Sequence, residues 1–115
     1  VTYSNRAKTK RLGVAAALIE RHGAVSAPVA RAMALGIRRT SGADIGIAVT
    51  GVAGPGGGTA RKPVGLVYIA VARGRGAAVG RFSFAGGRSQ VKFQSSQKAL
   101  DLVRKSLRPR PPKAL

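Results

Sequence analysis

Residues 44–63 read D-I-G-I-A-V-T-G-V-A-G-P-G-G-G-T-A-R-K-P, and the fold turns on how they are parsed. The run from Ile45 to Val49 is too short for a helix and rich in β-branched residues, which predicts a buried strand. Thr50 follows, and then a loop with five glycines: Gly51, Gly54, Gly56, Gly57 and Gly58. Glycine lacks a Cβ, so such a loop turns sharply and brings its amides close to a ligand. Successive N–H groups at a strand end form a concavity for an anion. In open α/β sheets, ligands bind beyond the carboxyl ends of strands. With the Thr50 hydroxyl on one side and Arg61 and Lys62 at the far rim, the stretch is a candidate site for a phosphate or another oxyanion. A flexible surface turn is the other reading, and on this feature alone the two stand even. The named nucleotide motifs do not fit. Counted from Gly51, the P-loop spacing reaches Gly56, but Gly57 stands where lysine should follow, and no G-x-G-x-x-G can be read.

Beyond the loop, V-G-L-V-Y-I-A-V-A-R (residues 64–73) is a nearly continuous apolar strand, the pattern of a strand covered on both faces. Gly74-Arg75-Gly76 predicts a tight reversal, and residues 77–84 return with Val79, Phe82 and Phe84 for the core, completing a β-hairpin. Ala85-Gly86-Gly87 stops that strand. A helix is expected from Ser89 to about Leu107, with Val91, Ala99, Leu102, Val103 and Leu107 buried and an Asp101–Lys105 pair at i, i+4. Arg88 stands just before it. A helix N-terminus favours anions, so this arginine is placed either to clamp a phosphate or carboxylate or to stand solvated.

Upstream, residues 1–4 read as the end of a strand, with Asn5 a candidate N-cap for a short helical turn over residues 6–12 that Gly13 stops. Tyr3 and Lys8 face one site if strand end and turn fold together. By residue type alone, a rim tyrosine and a solvated lysine are the favoured reading. A second helix is expected over residues 14–21, with Val14, Leu18 and Ile19 buried and His22-Gly23 as its end. His22 reads as a helix-end partner rather than a catalytic base. Ser26 and Pro28 open a third, amphipathic helix carrying Val29, Met33 and Ile37 inward and Arg31 and Arg38 outward, ending near Arg39. Helical crossovers from residues 1–4 allow a parallel strand pair, and the hairpin supplies an antiparallel one. The fold class expected is α/β, three layers (α/β/α) around a mixed sheet.

The 115 residues hold one domain or part of one, and the start at Val1 leads us to expect a piece of a longer protein. Without cysteine, and with His22 alone, no disulfide framework, thiol nucleophile or multi-histidine metal site can be assembled, and no cofactor is implied. No apolar run reaches the roughly 18 residues of a membrane span, and no signal peptide is visible, so a cytoplasmic setting is expected. Twenty-one Lys and Arg against three acids give a formal charge of +18. Such a balance implies polyanion binding, nucleic acid included, although the cations are spread along the chain and only residues 6–11 and 104–113 are dense. Residues 108–115, with three prolines, are expected to form an extended tail outside the domain at 1–107.

Three ordered blocks carry a resemblance: V-T-Y-S-N-R-A-K at the start, A-V-T-G-V-A-G-P-G-G-G-T followed by K-P-V-G, and F-A-G-G-R before the last helix, with H-G-A-V-S between them. The chain resembles the C-terminal domain of the competence/damage-inducible protein CinA over nearly all its length up to Leu107. That family includes amidohydrolases that convert nicotinamide mononucleotide to nicotinic acid mononucleotide and ammonia, in pyridine nucleotide salvage. The resemblance implies that Tyr3 and Lys8 are catalytic, and that Thr50, Gly51, Gly54, Gly56, Gly57 and, near the phosphate, Arg88 bind substrate. It implies a small-molecule substrate, no metal, and a homo-oligomer when the domain is complete. The family's nucleophilic serine lies in an upstream A-E-S-x-T-G-G segment that nothing here matches, and Arg6 stands where glutamate is usual. The expectation is an N-terminally truncated member, lacking a strand and a helix, whose hydrolytic activity needs the upstream segment.

Overall fold

In a computed structural model, which describes residues 4–107, the chain runs α1 (Asn5–Leu12), α2 (Ala16–His22), α3 (Ala27–Ser41), β1 (Ile45–Gly51), β2 (Leu66–Arg73), β3 (Gly76–Ser83) and α4 (Arg88–Ser106). Ser4, not Asn5, caps α1: its hydroxyl accepts the Ala7 amide at 3.0 Å. Gly13 closes that helix at φ 69°, a conformation glycine adopts without a Cβ penalty. Val14 is buried, as expected, but precedes α2 rather than belonging to it. Helix α3 runs past Arg39 to Ser41, and the Thr40 and Ser41 hydroxyls bond back to the Gly36 and Ile37 carbonyls at 2.9 and 2.5 Å.

The strands are ordered β1-β2-β3 and both pairings are antiparallel. The register sets Ile45 opposite Arg73 and Arg73 opposite Gly76, so Gly74-Arg75 is a two-residue hairpin turn with glycine at φ 63° in its first position. The strand expected at residues 1–4, which would make the sheet mixed, lies outside the described residues except for Ser4. Gly65, which starts the return from the glycine loop, stands at φ 95° and lies against the Phe84 carbonyl.

Alternation sorts the side chains into two layers. Ala48, Ala70 and Ala72 join Leu12, Val14, Ile19, Val29, Ala30, Met33 and Ala34 in a core between the sheet and α1–α3. Val67 and Ile69 join Val91 and Ala99 of α4 on the opposite face, backed by Phe82, Phe84 and Leu102. The three-layer α/β architecture expected from the sequence is the one observed. Strand β2 is buried on both faces. Strand β1 is not: Gly46, Ala48 and Thr50 are buried, whereas Ile47 and Val49, which alternation turns to the other face, remain 37% and 40% exposed. Ile37 and Leu107, expected inside, are also exposed, at 36% and 56%.

Three helices share a device. The carbonyl of the last residue of α1, α2 and α4 accepts a hydrogen bond from a distant cation: Leu12 from Arg39 (3.3 Å), His22 from Lys62 (2.6 Å) and Ser106 from Arg73. Final-turn carbonyls lack intrahelical partners, and positive charge is favourable at that end of the helix dipole. Asp101 forms ion pairs with Arg104 (2.7 Å) and Lys105 (3.0 Å) within α4. Hydrogen bonds from these two partners hold the Asp101 carboxyl down to about 2. No helix among the described residues is long and apolar enough to cross a membrane.

Candidate functional site

The glycine loop leaves the sheet at Gly51 and returns at Leu66. Val52 extends the ladder by one step: its N–H donates to the Leu66 carbonyl (2.9 Å), and its carbonyl accepts from Gly65 (2.7 Å). Side chains tie the loop down at three points. Thr50, buried at the strand end, donates its hydroxyl to the Ala24 carbonyl at 2.8 Å. Lys62 reaches the His22 carbonyl on the other side of Gly23. Arg88, the first residue of α4, donates to the Gly54 carbonyl at 3.3 Å. Thr50, Gly54 and Arg88 are thereby brought to one end of the domain, where β1 stops and α4 begins.

The loop glycines divide by cause. A Cβ on Gly51 would lie 2.7 Å from the Leu66 carbonyl oxygen, and one on Gly54 would lie 2.6 Å from Val64 at a φ of 85°. Gly58 is crowded by Val64 as well, and Gly57 is held at φ 86°. Folding alone therefore requires glycine at these four positions. Gly56 differs: a Cβ there meets nothing within 4 Å and its backbone is in an ordinary region. Gly56→Ala is therefore expected to leave the thermal melt unchanged or to stabilise by about 0.4–1 kcal/mol through lost unfolded-state freedom, while Gly54→Ala destabilises by more than that. Equal losses in the two variants would contradict this division.

Lys8 sits on α1, only 5% exposed, and burial lowers the pKa of its amine. The solvated lysine favoured by residue type is not what the fold makes of it. Three residues join α1 to α2, so the chain turns back, and α2 finishes at His22 beside Lys62. The far end of α1 is fixed by Leu12 against Gly36 and Arg39 of α3. Tyr3 lies outside the described residues. Among the described residues, two grooves of about 520 and 530 Å³ lie between the β2–β3 hairpin and α4 and between α1 and α2.

Sequence reasoning placed Lys62 at the rim but missed its tether, together with the acceptor carbonyls of His22 and Ala24. Backbone acceptors carry no residue-type signal. The sole hint was the H-G-A-V-S segment, in which Gly23 takes φ 80° and Ser26 turns its hydroxyl to the Gly23 carbonyl (2.8 Å) rather than capping α3.

These features define a three-layer α/β domain with a glycine loop at the carboxyl end of β1, an outer strand among the described residues. The sequence profile of the CinA C-terminal domain matches residues 1–107, and the chain belongs to that family. It is 53% identical over 107 residues to a CinA-like protein of Geotalea uraniireducens, covering 93% of this chain and 26% of the relative. It is 55% identical over 108 residues to a CinA-like protein of Mycolicibacterium vanbaalenii, covering 93% of this chain and 26% of that relative. The chain thus spans about a quarter of the length of the curated relatives it matches. Among solved structures, it is similar to a competence-damaged protein (CinA) superfamily protein from Escherichia coli (TM-score 0.88, 36% identity, 93% of this chain and 62% of that one). It is also similar to the competence damage-inducible protein A from Klebsiella pneumoniae (TM-score 0.89, 37% identity, 93% and 66%).

Proposed function

We propose that this domain takes part in hydrolysing the amide of nicotinamide mononucleotide, giving nicotinic acid mononucleotide and ammonia. The observation that carries the reading is Lys8: an amine buried on α1, with its pKa lowered by that burial. A lysine that sheds its proton more readily is suited to take one from a nucleophilic hydroxyl. In the proposed reaction the nucleophile's oxygen adds to the amide carbon and its proton passes to Lys8. The C–N bond then breaks, the proton leaves with the ammonia, and water releases the acid from the acyl intermediate. Loop amides beyond Val52 would face the oxyanion or the phosphate, with Arg88 supplying positive charge near Gly54. The nucleophile comes, by the family resemblance, from a segment upstream of Val1, and Tyr3 relays the proton. A homo-oligomer is proposed for the complete domain.

The experiment is ammonia release from nicotinamide mononucleotide by the chain joined to that upstream segment. Release no faster than from the same protein carrying Lys8→Ala would end the proposal. In the same protein, Gly56→Ala is expected to weaken substrate binding without loss of stability, since only a ligand needs the space there.

Polyanion binding through the charge of +18 is the second reading. It finds less support, because Arg38, Arg39, Lys62, Arg73 and Arg88 direct their donors to carbonyls of this chain.

A further inference from the structure

The glycine loop is long enough to move, yet its limbs are fastened unequally. The near limb continues the sheet and is held by Thr50 on the Ala24 carbonyl. The far limb has no strand of its own before residue 66. It is stiffened by a short turn in which the Thr59 amide donates to the Lys62 carbonyl (2.9 Å) and the Lys62 amide donates to the Thr59 hydroxyl (3.0 Å). Among the described residues, the Lys62 ammonium on the His22 carbonyl ties that turn to the end of α2, across 40 residues of sequence. Gly23 makes the seat: a Cβ there would stand 2.6 Å from Nζ. A compact ammonium fits where a bulkier residue at position 23 would exclude it.

We infer that Lys62 is a positioning residue for the glycine loop. By fixing the far limb on the end of α2, it sets the width of the opening through which the phosphate of a mononucleotide enters. This inference rests on the reading of the loop as a mononucleotide site. Lys62 does not touch the reacting atoms in this account; it acts through the loop amides whose spacing it fixes. Loss of the tether releases the limb without disturbing either core, since Lys62 belongs to neither hydrophobic cluster.

The test compares Lys62→Met, which keeps the stem and removes the donor, with Lys62→Arg, which keeps charge and donor. Amide hydrogen exchange in the chain without ligand reads the tether directly. In Lys62→Met, exchange of residues 56–62 is expected to quicken about tenfold, with β2 and α4 unchanged, as for local opening of a small unit. Calorimetric titration reads the consequence. Affinity for nicotinamide mononucleotide is expected to fall about tenfold, the loss of one charge-assisted hydrogen bond, whereas that for nicotinamide riboside, which lacks the phosphate, stays within about twofold. Lys62→Arg is expected to restore most of both. Unchanged loop exchange in Lys62→Met overturns the inference, and so does quickened exchange with undiminished nucleotide affinity. If the unaltered chain binds neither compound, the mononucleotide reading fails and the positioning role fails with it, while the exchange data still report whether the tether holds the loop.

Discussion

Gly36→Ala is expected to cost the domain a large share of its stability. Gly36 lies on the face of α3 that α1 crosses, and an added Cβ would sit far inside van der Waals contact of the Leu12 carbonyl oxygen. The Leu12 Cβ follows at 3.2 Å. The obstacle is backbone, so no rotamer change relieves it, and the helices must separate. Separation exposes Leu12, Val14 and Ile19 and pulls the Leu12 carbonyl away from Arg39. Overpacking a core costs about 1–3 kcal/mol, and more when the backbone must shift, while alanine's helix propensity returns up to about 1 kcal/mol. A net loss of roughly 3 kcal/mol is a large share of the 5–15 kcal/mol of an ordinary domain. It corresponds to a fall in melting temperature of about 10–20 °C for a chain of this length. Gly56→Ala is the matched control, with the same change of residue in open space. A melt of Gly36→Ala within about 2 °C of the control would mean that α1 does not seat on α3 in this way.

Lys8→Ala carries the largest expected effect on activity. If the amine takes the nucleophile's proton, its removal lowers the rate of ammonia release by about 10²–10⁴-fold, the usual worth of a positioned general base. A structural lysine would also lower activity by loosening α1, so a second readout is needed. Lys8→Met keeps the buried stem and removes the amine. Burial depresses the folded-state pKa of Lys8, so between that value and the ordinary lysine value of about 10.4 the unfolded chain binds more protons than the folded one. Stability of the native protein should therefore rise with pH through that window. The full cost of burying the ammonium is felt below it. Lys8→Met should lack the rise and still be catalytically dead. Denaturant midpoints measured from pH 7 to 11 decide the matter: parallel curves for the two proteins would place the amine in water, and full activity in Lys8→Ala would remove it from the chemistry.

The layers of this fold were legible in the sequence because glycine and alternation are strong punctuation. Gly13, Gly42 and Gly74 end two helices and turn a hairpin where the pattern changes period, and all three take positive φ. The apolar run of β2 foretold a strand covered on both sides. The similar run of β1 did not behave so, since a run of β-branched residues cannot say whether a second layer closes over it. Ile47 and Val49 stay exposed for that reason. At the site, Thr50 and Arg88 could be placed near the loop from their positions at a strand end and a helix start. Lys8 could not be placed, because its burial depends on how α1 packs in the fold, and residue type alone favours solvent. The role of Tyr3 falls outside the described residues, and so does the expected tail.

The cations seated on the ends of α1, α2 and α4 bear on how the molecule meets acid. An ordinary ion pair dissolves once its carboxylate is discharged. An arginine or lysine lodged on a peptide oxygen has no such partner to lose, and the chain has only three acidic side chains to titrate. Asp101 is the exception, and with its carboxyl held at about 2 its contribution fades only as pH drops from about 4 towards that value. The joints at these three helix ends should thus outlast a descent in pH that would discharge the surface pairs of a more balanced protein.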